Sequence, residues 1–326
     1  MSQTSDALVV TGLAVVEADG FDHRTALGRR GYKYLPPAAQ YFLAASRQAL
    51  AGPGEHTQQA VDPRRRAATV GTNSAAVAVH AAMDRTVVDG GSDDLSPASA
   101  PYFSINTYIS KLAVEQSVKG FNITFTSPRI AGLEALETGQ RSVAVGRADW
   151  LLAGATEAAL PGSAPGAAGS EAGAVAFVLE RPDTVAARGG TVLGRVAVRS
   201  FFLPPRTAAA AQGARRAEER IQDALEALGH HPAGGERVTA VLDDSPVGRA
   251  LAEALGDRAG HVPAGAGCLT PMRHVAGGLA GTGTAPSVVI TAAAEGNVAV
   301  CVTTPAAGPT GAEQPAGAER GGVQHR

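Results

Sequence analysis

The stretch from Lys119 to Glu157, KGFNITFTSPRIAGLEALETGQRSVAVGRADWLLAGATE, constrains the fold more than any other part of the chain. It reads as a strand, a tight turn, a helix and a second strand in close order. Phe121 to Thr126 alternates bulky or β-branched residues with small polar ones, and Ser127-Pro128 breaks the run. Ile130, Leu133 and Leu136 then recur at helical spacing. Arg129 therefore falls at a sharp strand-to-helix corner. In many α/β enzymes that corner carries the nucleophile, because first-turn N–H groups and the helix dipole stabilise negative charge there. A guanidinium is no nucleophile.

At 326 residues and 44% hydrophobic content, the chain can bury one large core or two half-domains. Its richness in Gly and Ala favours close-packed α/β layers. A net charge of −2 argues against nucleic acid or an anionic membrane as the main partner. Cys268 and Cys301 are too few and too isolated for a disulfide framework or a metal site, and are expected to be buried small hydrophobes in a reducing cytosol. No apolar run reaches the roughly 20 residues of a membrane span, and MSQTSDALVV lacks a basic, signal-like region. A soluble, cytoplasmic protein with no cofactor and no metal is expected.

Along the chain, Ala7 to Val16 reads as a buried strand and Pro36 to Leu50 as an amphipathic helix with Tyr41, Phe42, Ala45 and Leu50 facing inward. Arg64-Arg65-Arg66 is a solvated entry to the strand Ala67 to Gly71. Asp84 to Ala100, rich in Asp, Gly, Ser and Pro, reads as a loop, and Pro101 to Val118 as mostly helical. Further on, helices are expected over Ala208 to Leu228 and Val247 to Leu255, a strand over Val238 to Leu242, and two short strands within Ser287 to Val302. The end, above all Gly308 to Arg326, has no core-forming pattern and reads as a disordered tail.

The stretch around Arg129 resembles the nucleophile region of the β-ketoacyl synthases of the thiolase superfamily. That family's pattern runs G-P-N, five residues, T-A-C, a helix, a G-x-A-D strand and a G-G-x-E turn. Aligned without gaps from Gly120 and Asn122, the cysteine falls on Arg129, and Leu133, Ala135, Leu136, Gly146, Ala148, Asp149, Gly154 and Glu157 fall into place. ALVVTGLAVV is similar to the family's opening strand. After Glu157 the family carries several dozen further residues that this chain replaces by PGSAPGAAG before SEAGAVAFVLE. The resemblance implies an α/β, thiolase-like fold of two pseudo-repeated halves in an αβαβα layering. The halves are expected over 1–180 and 181–305, with the tail over 306–326.

In that family, decarboxylative condensation needs a thiolate, two histidines and a lysine. The second histidine motif corresponds to RHVAGGLA, which keeps His274, but Leu269 stands where the lysine belongs. The first histidine falls in LDDSPVG, where Asp243 or Asp244 replaces it, and the closing glycine-rich turn survives only as AAAEGN. This implies a vestigial site of Arg129, His274, Asp243, Asp244 and Leu269, with a bidentate ion pair from Arg129 to an aspartate plugging the old cavity. Thr126 and Ser127 are alternative hydroxyl nucleophiles with no partner base in view.

SPRIAGLEAL also resembles the chain-length factors of type II polyketide synthases, inactive ketosynthase-like subunits that pair with a catalytic ketosynthase. The short length and the lost Cys, His and Lys are most similar to those of highly reducing, polyene-forming systems. The resemblance implies a heterodimer with a ketosynthase, with Phe121, Asn122, Ile123, Thr124, Phe125 and Thr126 forming the strand at the interface. It also implies contact with an acyl carrier protein through the complex, and a tunnel for the growing acyl chain gated by Tyr102, Phe103, Ile105, Tyr108 and Ile109. Two rival readings are a Ser- or Thr-dependent acyltransferase or hydrolase in a remodelled site, and a homodimeric scaffold or binding relative.

Overall fold

The computed structural model describes residues 8–51, 57–231, 235–281 and 283–306. In chain order these form β1 (Val9–Glu17), α1 (His23–Ala26), α2 (Pro37–Leu50), β2 (Arg66–Gly71), α3 (Val77–Asp89), α4 (Thr107–Glu115), β3 (Asn122–Phe125), α5 (Ala131–Ala144), β4 (Trp150–Glu157) and β5 (Gly173–Glu180). There follow α6 (Pro182–Ala187), β6 (Gly194–Phe202), α7 (Pro205–Ala208), α8 (Gly213–Ala227), β7 (Arg237–Leu242), α9 (Pro246–Leu255), β8 (Ala259–Pro263), α10 (Leu269–Ala280), β9 (Ser287–Ala292) and β10 (Asn297–Pro305). Among the described residues the strands form one hydrogen-bonded series, β3-β2-β4-β5-β1-β6-β10-β9-β7-β8.

That order is a repeat. The first five strands run 3-2-4-5-1 from the edge inward, and the last five run 8-7-9-10-6 from the other edge. Pairing agrees as well: β2 is parallel to β3 and β4, as β7 is to β8 and β9, while β4–β5 and β5–β1 are antiparallel, like β9–β10 and β10–β6. The two sets meet through a short antiparallel contact, Val9 opposite Arg195 and Val10 opposite Gly194.

Burial explains the layering. Every residue of β4 and β5 is buried, so neither face of those strands meets water and both need a cover. Leu151, Ala153, Ala155, Val175, Phe177 and Leu179 point into a central core shared with α5, α10 and the second set of strands. Their alternates, Trp150, Leu152, Ala174, Ala176 and Val178, face an outer core with α2 and α4. On the far side, α8 and α9 cover β7, β9 and β10 through Ile221, Leu251, Ile290 and Val300. The result is α2/α4, sheet, α5/α10, sheet, α8/α9: the αβαβα arrangement of the thiolase-like fold. In α10, Leu269, Met272, Val275, Ala276 and Leu279 supply the inward stripe. Close approach also needs glycine: a Cβ on Gly71 would lie 2.2 Å from the Ala131 carbonyl carbon, and one on Gly132 2.6 Å from Met272 Cγ.

Several local expectations need correction. Arg66 is no solvated strand entry; it is buried, and its guanidinium donates to the Val61 and Gln116 carbonyls at 3.0 Å each. Arg65 pairs with Asp149, leaving Arg64 exposed. The acidic loop begins later than Asp84, because α3 runs through Asp89. The helix expected over Ala208 to Leu228 starts later, as α8 at Gly213, and Ala208 instead ends the short α7. β8 and the central helix α10 gave too short or too glycine-rich a pattern to be recognised. The expected tail lies, from residue 307 onward, outside the described residues.

Candidate functional site

Arg129 sits between β3 and α5 with φ of 60°, a conformation a residue with a Cβ adopts only under constraint. Three hydrogen bonds of Asn73 hold the corner. The Arg129 N–H donates to Asn73 Oδ1 at 3.0 Å, while Asn73 Nδ2 donates to the Thr126 and Ser127 carbonyls at 3.1 and 3.2 Å. Asn73, just beyond β2, thus shapes the corner from a neighbouring strand end.

From there the guanidinium reaches into the second half of the chain. Nη1 donates to Asp243 Oδ2 and, at 3.3 Å, to the Ala292 carbonyl; Nε donates to the Gly265 carbonyl at 3.2 Å. The contact with Asp243 runs through one nitrogen rather than the bidentate fork expected, because the other donors turn to main-chain oxygens. Asp243 Oδ1 accepts from the Ser245 N–H at 3.0 Å. Burial pushes the Asp243 carboxyl up, but the hydrogen bonds from Ser245 and Arg129 prevail and hold it below the usual carboxylate range. The pair is a charged plug, about one-fifth exposed on each side chain.

The remaining candidates lie elsewhere. Asp244 is exposed, and its carbonyl accepts from Arg249. Leu269 is wholly buried in the central core. His274 does not join Arg129: it shares a cleft with Arg237, which opens β7, whereas Asp243 follows the last residue of that strand. Six residues of strand separate the two ends by roughly 20 Å. Thr126 is exposed and Ser127 half-buried, and among the described residues neither hydroxyl has a histidine or carboxylate partner.

Under the plug lies a buried acid that was noted in the sequence only as a pattern match. Glu157 ends β4 with no exposed surface. Its carboxylate accepts from Thr72 Oγ1 at 3.0 Å, the N–H groups of Asn73, Ser74 and Cys268 at 2.8, 2.6 and 2.9 Å, Ser74 Oγ at 2.7 Å and Cys268 Sγ at 3.2 Å. None of these donors is cationic. Cys268 is therefore more than a small hydrophobe: burial, and then the neighbouring Glu157, push its thiol well above the ordinary value and keep it a donor. Cys301, buried within β10, is also pushed up by burial. The run Thr72-Asn73-Ser74 directly after a strand was the legible signal for this network. Among the described residues no group of three or more His, Cys, Asp or Glu is placed to hold a metal ion, and no helix is long and apolar enough to cross a membrane.

Among the described residues β3 is an edge strand, hydrogen-bonded only to β2. Asn122 and Ile123 are exposed, Thr124 is half-buried, and Phe121 and Phe125 turn back toward the central core. Val114 on α4, the helix that packs against β3, is about three-quarters exposed, as is Phe103 on the 3₁₀ turn before α4, and α3 buries none of its residues. The aromatic candidates divide. Phe103 stands out against the His80 ring at 5.5 Å, and Tyr102 and Ile105 are half-buried. Tyr108 and Ile109 are core; burial pushes the Tyr108 hydroxyl up to about 12, and Tyr102 meets its ring edge-on at 6.0 Å.

Comparisons with known proteins agree with this architecture. Three solved structures are similar over nearly the whole chain. A ketosynthase from Burkholderia phymatum STM815, described as a β-ketoacyl synthase, superposes with a TM-score of 0.74 at 15% identity, covering 93% of this chain and 100% of that one. The ishigamide ketosynthase/chain length factor gives 0.72 at 20% identity, covering 92% and 99%. AntDE:AntF, a type II polyketide synthase acyl-carrier protein in complex with its ketosynthase, gives 0.71 at 15% identity, covering 92% and 100%. No curated protein matches the sequence. The family model for the β-ketoacyl synthase N-terminal domain matches residues 3–181, more than half of the chain, which makes this protein a member of the β-ketoacyl synthase family.

Proposed function

We propose that this chain is a non-catalytic ketosynthase-like subunit, a chain-length factor, that pairs with a catalytic ketosynthase and bounds the tunnel of a growing polyketide chain. One observation carries the reading: the family's nucleophile corner survives in shape, yet its side chain is a guanidinium engaged with Asp243 and two carbonyls. No thiolate forms there and no acyl group is held covalently. A chain that keeps the fold and lacks the nucleophile contributes surface rather than chemistry.

The edge of β3 that has no partner among the described residues, with Ile123 exposed on it and Val114 exposed on the adjacent α4, supports pairing at this face. Residues 121–126 are the strand assigned to the partner, and Phe103, with Tyr102 and Ile105 beside it, is the group assigned to the tunnel. Tyr108 and Ile109 act behind them as their support. The carrier protein reaches the partner's cysteine through the assembled complex, and a polyene-forming system remains the product class we assign.

The decisive experiment is co-expression with a candidate catalytic ketosynthase from the same source, followed by size-exclusion chromatography and intact-mass analysis. Expected are a one-to-one complex that Ile123→Lys disrupts, and an acyl adduct on the ketosynthase alone. An adduct on this chain, or no complex with the ketosynthase, would overturn the proposal; a self-dimer alone would favour the homodimeric scaffold.

A further inference from the structure

His274, the histidine retained from the family motif but absent from the Arg129 site, opens onto a separate cleft of about 340 Å³. Arg237 and Thr239 of β7, His261 and Val262 of β8, and Arg273 of α10 line it, and no carboxylate does. Arg273 is neutralised from β1, where Glu17 Oε2 accepts from its Nη2 at 2.6 Å. Arg237 makes no ion pair and the His274 ring no hydrogen bond among the described residues. The cleft thus presents an uncompensated guanidinium and the imidazole of His274, in a chain whose net charge is −2.

His274 is half-buried there. Burial, and after it the charge of Arg237, pull its pKa below the ordinary histidine value, so the ring stays neutral where an isolated one begins to protonate. An oxyanion in the cleft reverses this, pairing with Arg237 and accepting from the His274 ring. The helix leaves room for one: Gly277, one turn beyond His274, is exposed, and a Cβ built there meets nothing within 4 Å. The volume falls at the low end of small-molecule sites.

We propose that the cleft between α10 and the β7–β8 end binds a small phosphate-bearing ligand through Arg237 and His274. The site is independent of the β3 edge and of pairing with a ketosynthase, so it stands or falls separately from the function proposed above.

The test is an NMR pH titration of the histidine rings in the full chain, with His274 assigned through His274→Gln. Titrations run in chloride, in inorganic phosphate at matched ionic strength, and in phosphopantetheine. Phosphate is expected to raise the His274 pKa well beyond chloride and to bind saturably. Arg237→Gln should weaken binding at least tenfold. Gly277→Glu should abolish it by placing a tethered carboxylate in the cleft, and should itself raise the His274 pKa. Tighter binding of phosphopantetheine than of inorganic phosphate assigns the site to an organic phosphate; equal binding assigns it to the phosphate group alone. A His274 shift no larger in either phosphate than in chloride overturns the proposal. Undiminished affinity in both variants, with their folds intact by circular dichroism, does so too.

Discussion

The two strand-to-helix corners of this duplicated fold have the same length and opposite characters. Residues 126–130 join β3 to α5, and residues 264–268 join β8 to α10, five residues each. The first corner lifts Arg129 into the left-handed region and sends a cation across to Asp243. The second buries Cys268 and turns its N–H and thiol toward Glu157. Each corner is thus tied to an acid from the other half: Asp243 follows β7, and Glu157 ends β4. The difference is dielectric. Glu157 has no exposed surface and takes only neutral donors, whereas Asp243 keeps contact with water and takes a charged one. Duplication supplies two similar corners, and the burial of the acid facing each decides whether it becomes a structural joint or an adjustable plug.

The comparison predicts that the joint is worth more than the plug. Glu157→Ala strands the N–H groups of Asn73, Ser74 and Cys268 in the interior, and should cost about 3–5 kcal/mol. A loss under about 1 kcal/mol by denaturant titration would show that water or a shifted chain satisfies these donors, and the distinction between the corners would fail.

Arg129→Ala should cost less, about 1–3 kcal/mol, since Asp243 can turn toward solvent. Arg129→Gly should be milder than Arg129→Ala, because glycine releases roughly 1 kcal/mol of left-handed backbone strain that alanine keeps. The reverse order would mean that φ at this corner relaxes and stores nothing. Neither change, nor Arg129→Cys, should create condensing activity, because the lysine position is Leu269 and His274 lies at the far end of β7.

Much of this was legible in the sequence because the first corner is written locally. Strand, turn and helix follow one another from Phe121 to Leu136, and the loss of the nucleophile is visible as a single residue. The second corner is not written that way. β8 spans only Ala259–Pro263, with a glycine and a histidine inside it, and α10 carries a proline in its first turn and adjacent glycines at 277 and 278. Its helical form comes from burial between the two sheets, which no local pattern records. The position of His274 was misleading for a related reason. Motif spacing fixes where a residue falls along a helix, but which face it presents depends on neighbours from β7 and β8. Arg129 with Asp243 was the opposite case, since charge replacing charge-handling groups at two family positions implied one shared pocket.

The plug should also respond to acid. The Asp243 carboxyl is held below its ordinary range in the folded chain, so its contribution is present above the unfolded carboxylate value of about 3.9. It is lost as pH falls from there through the lower folded value. The difference in unfolding free energy between the parent and Asp243→Asn should therefore be constant from neutral pH to about 4 and shrink below it. A difference that instead grows on acidification would show that Asp243 is destabilised as the anion.

The smallest effect on stability is expected at the exposed rim, where the proposed consequence for function is greatest. Phe103 is about three-quarters exposed and touches the His80 ring, so Phe103→Ala should change stability by no more than about 0.5 kcal/mol. Tyr108 is only 1% exposed, and its truncation should cost about 3–5 kcal/mol, which makes it a poor probe of any tunnel. Only the Phe103 variant separates gating from folding. Each two-carbon unit adds about 2.5 Å of extended chain by ordinary bond lengths, so removing one ring should admit one or two further units. Reconstitution with the proposed partner ketosynthase, a carrier protein and reducing enzymes, read by mass spectrometry of the product, measures this directly. Longer products from an intact complex would place the rim of this chain at the end of the tunnel. Unchanged length, with the complex still formed, would move the gate onto the partner and leave this subunit the role of holding the partner's fold.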